Sequence, residues 1–248
     1  MRVECSVSKI NFHRTFKKVS QLRAYLPDTA RGREPQIAWY LERYPAIFIK
    51  PNGGGRGIGV TKAWKKGALI YYVKEKGTPR TANSVRSLSK QLGLKKNPHI
   101  VQQAIHLAKV DGRPFDIRLM MMRDQLKRWK YIGMIAKVAG NQSVITNVAR
   151  GKGYVMSIDH ALQKSLGLTG ARASEKKNEM IRLAKVCTRI YSKSRYDWQI
   201  GYDLAIDKDG KVWFIEINPT VPAHGLFRNE TSTYRRIKQI AAFHKRQK

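Results

Sequence analysis

The sequence predicts an α+β protein in which antiparallel strands dominate, and three patterns indicate this fold class. Apolar and polar residues alternate over several short stretches, which is typical of half-buried strands. Short turn signals such as Asp111-Gly112 separate these stretches, so consecutive strands are expected to pair antiparallel. Longer segments with apolar residues at helical spacing lie before and after them. Helices and strands mixed in this way favour the α+β class.

The first half of the chain is predicted to start with helices and to continue with short strands around a glycine-rich turn. The basic first thirty residues carry Phe12 and Phe16 at helical spacing, and residues 34–44 form a short amphipathic helix. The strands expected next are residues 46–50, 58–63 and 69–74, and a helix at 84–92 is closed by Gly93.

The second half is predicted to hold the longer strands. Strands are expected at residues 100–110, 115–123 and 129–138, and helices at 157–166 and 174–195. A hairpin is expected at 202–218, followed by a basic helix from about residue 230.

The composition indicates a folded and strongly basic protein. Of 248 residues, 42% are hydrophobic, which excludes a disordered chain. Forty-nine Lys and Arg against 17 Asp and Glu give a net charge of +32, so an acidic partner is expected. Cys5 and Cys187 have no neighbours at metal-ligand spacing, which excludes a zinc site and a disulfide scaffold. No segment resembles a membrane span or a signal peptide, so we expect a soluble cytoplasmic protein.

A nucleic acid is the less favoured acidic partner. The basic residues run throughout the chain instead of forming one arm or tail. No zinc-finger, homeodomain or RNA-recognition signature accompanies them.

The glycine-rich segment at residues 50–59 is the first candidate site. Its backbone N–H groups could approach phosphate oxygens closely, and Lys50 could add a positive charge. The glycine spacing matches neither a P-loop nor a dinucleotide-binding fingerprint. Because a strand is expected after the loop, phosphates would lie under a β-hairpin flap. The alternative is a flexible turn in solvent.

The predicted hairpin at 202–218 brings two carboxylates together. With Asp209-Gly210 as a two-residue turn, Asp203 lies opposite Glu216, and Asn218 lies on the same face. That face also carries Ala205 and Phe214, whereas the opposite face is expected to be core. The residues assigned to this core face are Leu204, Ile206, Trp213, Ile215 and Ile217.

Two opposed carboxylates destabilise a sheet unless something compensates their charges. At about 5 Å and an effective dielectric constant of about 20, the repulsion is roughly 3 kcal/mol. A divalent cation would remove this cost, and carboxylate and amide oxygens are the ligands that Mg²⁺ prefers. A raised carboxyl pKa, or pairing with nearby Lys or Arg, are the alternatives.

A third group of charged residues lies on the strands expected at 115–123 and 129–138. Alternation places Asp116 and Arg118 on one face and Ile117 on the other, and Lys137 could reach the charged face. This pattern fits an internal ion pair, and it also fits a site that neutralises a transferring phosphoryl group.

These motifs occur in an order that resembles the ATP-grasp superfamily and, within it, the YheC/YheD family of endospore coat-associated proteins. The order is F-I-K-P with the glycine flap, V-Q-Q-A-I, D-I-R, T-N-V-A-R-G and D-x12-E-x-N. The resemblance covers the chain from about residue 26 to residue 227. It implies an ATP-grasp fold with two α+β subdomains and ATP held between them under the flap.

The resemblance also implies roles for individual residues. The ATP-binding set is Lys50, the flap glycines Gly53, Gly54, Gly55 and Gly57, the adenine hinge Gln103, Ala104 and Ile105, and Asp116. The metal ligands are Asp203, Glu216 and Asn218, for Mg²⁺ or alternatively Mn²⁺. The catalytic residues are Arg118 and Lys137, and Thr146, Asn147 and His224 would face the acceptor.

The implied activity is an ATP- and Mg²⁺-dependent ligation of a carboxylate to an amine or thiol through an acyl phosphate. The basic surface suggests an acidic small-molecule, peptide or cell-envelope acceptor. The alternative is a spore-coat assembly protein that keeps the fold without turnover, which would place the protein at the spore coat. We expect a basic segment at 1–33, a flap-bearing subdomain at 34–98 and a metal-binding subdomain at 99–248.

Three departures from the family pattern concern the acceptor side. Only 49 residues precede Lys50, where ATP-grasp enzymes usually carry a separate domain. The Pro-Gly that commonly follows the final Asn is replaced by residues 219–225, and a glycine pair is interrupted at residues 151–153. Nucleotide and metal binding are expected to be little affected by these changes, whereas the identity of the acceptor and turnover itself depend on the segments that differ.

Overall fold

The computed structural model describes residues 8–247 except 55–56, 142, 144–145, 147, 149–151, 192–196 and 220–221. The helices are α1 Lys9–Lys17, α2 Ser20–Arg23, α3 Glu34–Arg43, α4 Val85–Leu92, α5 Ile158–Leu166, α6 Gly170–Tyr191 and α7 Thr231–Arg246, with a 3₁₀ turn at His224–Phe227. The strands are β1 Thr29–Arg31, β2 Ile47–Pro51, β3 Thr61–Lys66, β4 Leu69–Lys74, β5 Arg80–Ala82, β6 His99–Gln103, β7 Lys109–Val110, β8 Arg113–Arg123, β9 Trp129–Val138, β10 Tyr154–Ser157, β11 Gln199–Ile206 and β12 Val212–Asn218. The predicted α+β class is confirmed.

The first sheet is antiparallel, with strand order β1-β6-β2-β3-β4-β5 in the described part of the chain. Side chains alternate along each strand, so Ile47 and Ile49 of β2 point to one face and Phe48 and Lys50 to the other. The first face packs against α3 and α4 and forms a core that includes Ile37 and Leu88. The second face is left for the cavity described below.

The second sheet is also antiparallel, with strand order β10-β9-β8-β11-β12 and β7 paired to β8. One face, including Ile117 and Leu204, packs against α5 and α6 in the largest core. The opposite face is divided. Met120 and Met122 pack under Ile237 of α7, and the remainder of that face carries charged side chains.

Two predicted strands differ from the structure. The strand expected at 58–63 begins only at Thr61, because Gly57 and Gly59 adopt positive φ values of 74° and 72° that an extended strand does not allow. The strand expected at 100–110 is two strands, β6 and β7, since the chain leaves the first sheet after Gln103 and joins the second at Lys109.

The N-terminal helices pack on the second sheet. Phe12, Phe16 and Leu22 are buried in the same core as the hairpin strands β11 and β12. Two strands of the first sheet lie outside the subdomain predicted at 34–98. Strand β1 belongs to the predicted segment 1–33, and β6 belongs to the predicted subdomain 99–248. The predicted domain boundaries themselves stay a prediction. None of the helices in the described ranges combines the length and the apolar character needed to span a membrane.

Candidate functional site

A cavity of about 1770 Å³ lies between the free faces of the two sheets. The first sheet contributes Lys50 and Gln102, together with the glycine loop that follows β2. The second sheet contributes the charged part of its divided face and the end of the hairpin. The cavity therefore brings together sequence segments that lie more than 150 residues apart.

Lys50 lies at the end of β2 and points into this cavity. Its Nζ donates a hydrogen bond of 2.6 Å to Gln102 Oε1, and Gln102 Nε2 donates to Thr29 Oγ1 at 2.9 Å. Burial lowers the pKa of Lys50 to about 8, against the opposing effect of the Glu216 carboxylate. The Lys50 ammonium is therefore bound to the neutral amide oxygen of Gln102, and burial makes its positive charge unfavourable.

The glycine loop has the backbone conformation that its sequence predicts. Gly54 and Gly57 have φ values of 74°, in the left-handed region where glycine is favoured. Gly53, Gly54 and Gly57 line the cavity, whereas Gly55 lies outside the described residues. The loop is followed by β3, as expected for a β-hairpin flap.

The expected adenine hinge, Gln103 to Ile105, also lines the cavity. Two of its backbone N–H groups are already used: Gln103 N donates to Asp28 O at 2.9 Å and Ala104 N to Ala46 O at 3.1 Å. Contacts between this segment and a base would therefore use its other atoms.

A buried ionic cluster occupies the second-sheet side of the cavity. Pairing of β8 with β11 places Arg118 opposite Asp203, and pairing of β8 with β9 places Asp116 opposite Lys137. Arg118 binds the Asp203 carboxylate with two hydrogen bonds, Nε to Oδ1 at 2.9 Å and Nη2 to Oδ2 at 3.2 Å. Lys137 Nζ donates to Asp203 Oδ1 at 2.8 Å and lies 3.0 Å from Asp116 Oδ1. The predicted charged face of these strands is confirmed.

The two aspartates of the cluster have opposite pKa shifts. Burial alone would raise the pKa of Asp203, but the charges of Arg118 and Lys137 outweigh it and hold the pKa well below its usual range. Burial raises the pKa of Asp116, and the nearby Asp203 charge adds to this effect against Lys137. Thr146, expected on the acceptor side, donates a hydrogen bond to Asp116 Oδ2.

The hairpin places Asp203 opposite Glu216 as predicted, but by a different route. The turn is a three-residue loop in which Asp207 N donates to Lys211 O at 3.0 Å and Gly210 has a φ of 81°. This turn alone would place Ile215 opposite Asp203. A β-bulge between Asp203 and Leu204 adds one residue on β12 and restores the Asp203–Glu216 pair.

The predicted core face of β12 is wrong for the residues between the turn and the bulge. Phe214 packs into the core, whereas Trp213 and Ile215 are only partly buried. The cause is the shifted register, which pairs Phe214 with Leu204 and Val212 with Ile206. Leu204, Ile206 and Ile217 lie in the core as expected.

The expected metal ligands provide an all-oxygen set, which suits Mg²⁺. Glu216 and Asn218 line the cavity with Asp203, and Glu216 Oε1 lies 3.4 Å from Lys9 Nζ. Asn218 Nδ2 donates to Asp203 Oδ2 at 2.9 Å, so its amide oxygen faces away from this carboxylate. The donor chemistry fits a cation at Glu216 and Asn218. The Asp203 carboxylate itself is paired with Arg118 and Lys137. Pairing with Lys or Arg was the expected alternative to a metal, and it holds for Asp203. Within the described residues, no group of three His, Cys, Asp or Glu side chains is arranged to hold a metal.

His224 is not brought to the site. Its Nε2 lies 2.7 Å from Gln199 Oε1 and its ring packs edge-on against Trp198, so it is not among the cavity-lining residues. Asn147, the other residue expected on the acceptor side, lies outside the described residues.

The comparison with known families agrees with this architecture. A family model described as "YheC/D like ATP-grasp" matches residues 3–244. The chain belongs to the YheC/D-like ATP-grasp family.

Two relatives from Bacillus subtilis (strain 168) are similar over much of the chain. Endospore coat-associated protein YheC is 24% identical over 211 residues, which cover 80% of this chain and 55% of YheC. Endospore coat-associated protein YheD is 23% identical over 234 residues, which cover 89% of this chain and 49% of YheD. The chain thus spans about half the length of these relatives.

Among solved structures, the chain is similar to N5-carboxyaminoimidazole synthetase from Staphylococcus aureus complexed with ADP. The TM-score is 0.47 with 11% sequence identity, over 86% of this chain and 43% of that chain.

Sequence reasoning missed two residues: Lys9, which lines this ATP-grasp cavity, and Gly201, which packs beside Arg118. Lys9, in the N-terminal helix, reaches the glycine loop and Glu216, and no pattern distinguishes it from the many other lysines. Gly201 leaves room for Arg118, since an added Cβ would lie 3.2 Å from Arg118 Cδ and 3.1 Å from Pro222 Cβ. Gly201 lies just before the hairpin predicted at 202–218, so no predicted strand contained it and the pattern offered no signal.

Proposed function

We propose that this chain is an ATP-dependent ligase that activates a carboxylate and joins it to an amine or thiol. The γ-phosphoryl group of ATP is transferred to the carboxylate, giving ADP and an acyl phosphate. The amine or thiol then attacks the acyl carbon, and inorganic phosphate leaves. No covalent enzyme intermediate is needed, so catalysis rests on positioning and electrostatics.

The charge of the cavity is the observation that carries this proposal. Among the described residues that line it, seven are Lys or Arg and three are Asp or Glu. A polyanion is therefore attracted to it, and the glycine loop offers backbone groups to phosphate oxygens. The volume of about 1770 Å³ exceeds the roughly 300–1,000 Å³ of a typical single-ligand site, which leaves room for a second substrate.

The residues on the two sides of the cavity have separate tasks in this proposal. Lys50 and the flap hold the phosphates from the first sheet. Arg118 is held in place by Asp203 and by its hydrogen bond of 2.6 Å to Pro222 O, so it can stabilise negative charge without reorganising. Mg²⁺, held by Glu216 and Asn218 with Asp203 beside them, would neutralise charge on the phosphate oxygens.

The acceptor in this proposal is acidic, either a small molecule, a peptide or a cell-envelope polymer. A net charge of +32 raises the local concentration of anions at the surface and speeds their association. The Michaelis constant for the acceptor should accordingly rise with ionic strength.

The test is release of ADP and phosphate that depends on both ATP and an acceptor, measured over a panel of acidic acceptors. Glu216→Gln should lower Mg²⁺-dependent ATP affinity by about tenfold or more, because it removes a charged oxygen ligand. Glu42→Gln is the matched control, since Glu42 is paired to Lys65 on the surface. Equal effects of the two substitutions, or no acceptor-dependent release across the panel, would contradict the ligase.

A coat-assembly protein that binds nucleotide without turnover is the second candidate. It is favoured by the saturation of the Asp203 carboxylate by Arg118, Lys137 and Asn218, and by the coat-associated names of the B. subtilis relatives. In this case Mg²⁺-ATP would raise the melting temperature, and no acceptor would elicit phosphate release.

A further inference from the structure

Helix α1 links the two sides of the cavity. Its apolar face is fixed in the core of the second sheet, where the Phe16 ring packs edge-on against Phe214 with 5.2 Å between centroids. Phe12 packs against Tyr191 in the same core, at 5.9 Å. The first turn of α1 lies on the other side of the cavity, against the loop that follows β2 of the first sheet.

Three consecutive residues at the start of α1 bind Asn52, at the base of the glycine loop. Ser8 Oγ and Asn52 Oδ1 are 3.1 Å apart, and Ile10 N donates to the same oxygen at 3.0 Å. Lys9 N donates to Asn52 O at 3.0 Å. The position of the loop is therefore coupled to the position of α1.

The Lys9 side chain extends from this contact into the cavity. Its Nζ donates to Gly54 O at 2.8 Å, lies 3.5 Å from Gly53 O and lies 3.4 Å from Glu216 Oε1. The side chain is only 15% exposed. Ordering and partly burying a lysine costs conformational entropy and hydration, so this placement is specified by its partners.

Lys9 and Lys50 converge on one region of the cavity. After burial, the Lys9 charge lowers the pKa of Lys50 further, and the Glu216 carboxylate, which raises it, lies 3.4 Å from Lys9 Nζ. Two ammonium groups that face the same part of the cavity repel each other. A polyphosphate bound between them would replace this repulsion with an attraction to both groups. Backbone carbonyls compensate an ammonium less well than a phosphate oxygen does, since hydrogen bonds between charged partners are the stronger ones.

We infer that Lys9 is a phosphate-binding residue of the nucleotide site, supplied by the N-terminal helix and acting opposite Lys50. The inference rests on the proposed ATP site. It gives helix α1, through Lys9, a part in binding nucleotide. Lys9 binds the β- and γ-phosphates, because its partners are the flap carbonyls and Glu216 and not the hinge segment at the other end of the cavity.

The experiment is titration calorimetry of ATP, ADP and AMP, each with Mg²⁺ and with chelator, on the full chain. Lys9→Met should weaken ATP and ADP binding by about tenfold to a hundredfold, as expected for loss of a charge-assisted hydrogen bond, and leave AMP binding unchanged. Lys9→Arg should retain most of the affinity. Lys18→Ala, an exposed lysine just after the same helix, is the control and should bind like the wild type.

Two further variants separate charge from folding and from loop anchoring. Ser8→Ala removes a bond to Asn52 and keeps the Lys9 charge, so it should bind ATP nearly like the wild type. Lys9→Gln keeps a polar side chain that is one atom shorter and uncharged, and it should lose ATP affinity as Lys9→Met does. It replaces Lys9→Met in the comparison if that variant proves unstable. Melting temperatures without nucleotide identify any variant that fails to fold.

The outcomes distinguish this inference from the proposed function. Wild-type protein that binds no ATP would overturn both. ATP binding that is lost in Lys50→Met but unchanged in Lys9→Met and Lys9→Gln would overturn the Lys9 assignment alone. Tighter ATP binding by Lys9→Met, or an equal loss in Ser8→Ala, would also overturn it, since Lys9 would then be a competitor or a loop anchor.

Discussion

The lowered pKa of Lys50 predicts that ATP affinity falls at mildly alkaline pH. Burial brings this pKa to about 8, with Glu216, Asp203 and Asp116 raising it and Lys9 lowering it further. A bound polyphosphate favours the charged ammonium, so the pKa of Lys50 is higher in the complex than in the free protein. Affinity is therefore constant while free Lys50 is charged, and declines as pH rises above about 8.

The size of the decline follows from the fraction of free protein with Lys50 charged. From about pH 7 to about pH 9 this fraction drops about tenfold, which is about 1.4 kcal/mol of binding free energy. The phosphate groups do not mask the effect, because their last ionisation lies near pH 6.

Competition with a fluorescent nucleotide, measured across this pH range in chelator at constant ionic strength, checks the prediction. Lys50→Met should bind weakly and with a flat profile, and Lys50→Arg should bind with a flat profile at higher affinity. A flat wild-type profile, or an equal decline in Lys50→Met, would refute this account of Lys50.

Three other substitutions test the second-sheet side of the cavity by urea unfolding. Asp203→Asn should cost about 3–5 kcal/mol, because Arg118 loses its buried counter-charge and Lys137 keeps only that of Asp116. Asp116→Asn should change stability by less than about 1 kcal/mol, since burial already disfavours the charge of Asp116. Gly201→Ala should cost about 1–2 kcal/mol and slow phosphate release more than it weakens ATP binding, because the new Cβ displaces Arg118. Equal unfolding midpoints for the two aspartate variants, or full activity of Gly201→Ala, would show that the cluster does not depend on these contacts.

The charged face of the second sheet could be predicted because the strands that carry it are long and alternate regularly there. The β8–β9 register is unbroken from Phe115 to Met120, so Asp116 and Arg118 share a face that Lys137 reaches from β9, and the bulge between Met120 and Met121 lies beyond them. The Asp203–Glu216 pair was predicted correctly although its basis was partly wrong. The two-residue turn shifts the predicted register by one residue, and leaving out the bulge shifts it by one residue in the opposite direction. The two errors therefore cancel for the pairs from Asp203 towards the start of β11.

The contacts that sequence reasoning missed are those made between distant segments. Lys9 reaches Glu216 because Phe12 and Phe16 fix α1 on the second sheet. The helical spacing of these residues predicts the helix but not the surface against which it packs. His224 shows the converse. Its motif position suggested an acceptor contact, but a positive φ of 58° at Ala223 and packing on Trp198 direct it elsewhere.

The charges around Asp203 bear on how a metal would enter this site. Repulsion between Asp203 and Glu216 required a compensating cation, and the structure provides several: Arg118 and Lys137 for Asp203, and Lys9 for Glu216. The opposed carboxylates alone therefore do not demand Mg²⁺.

A triphosphate changes this balance, because its negative charges compete for the same three cations and leave the carboxylates short of positive charge. Metal affinity should accordingly be low without nucleotide and high with it, so that Mg²⁺ and ATP bind with positive coupling. Calorimetric titration of Mg²⁺ with and without ATP, corrected for the Mg²⁺ affinity of free ATP, measures that coupling. Tight Mg²⁺ binding to the nucleotide-free protein would contradict this charge balance.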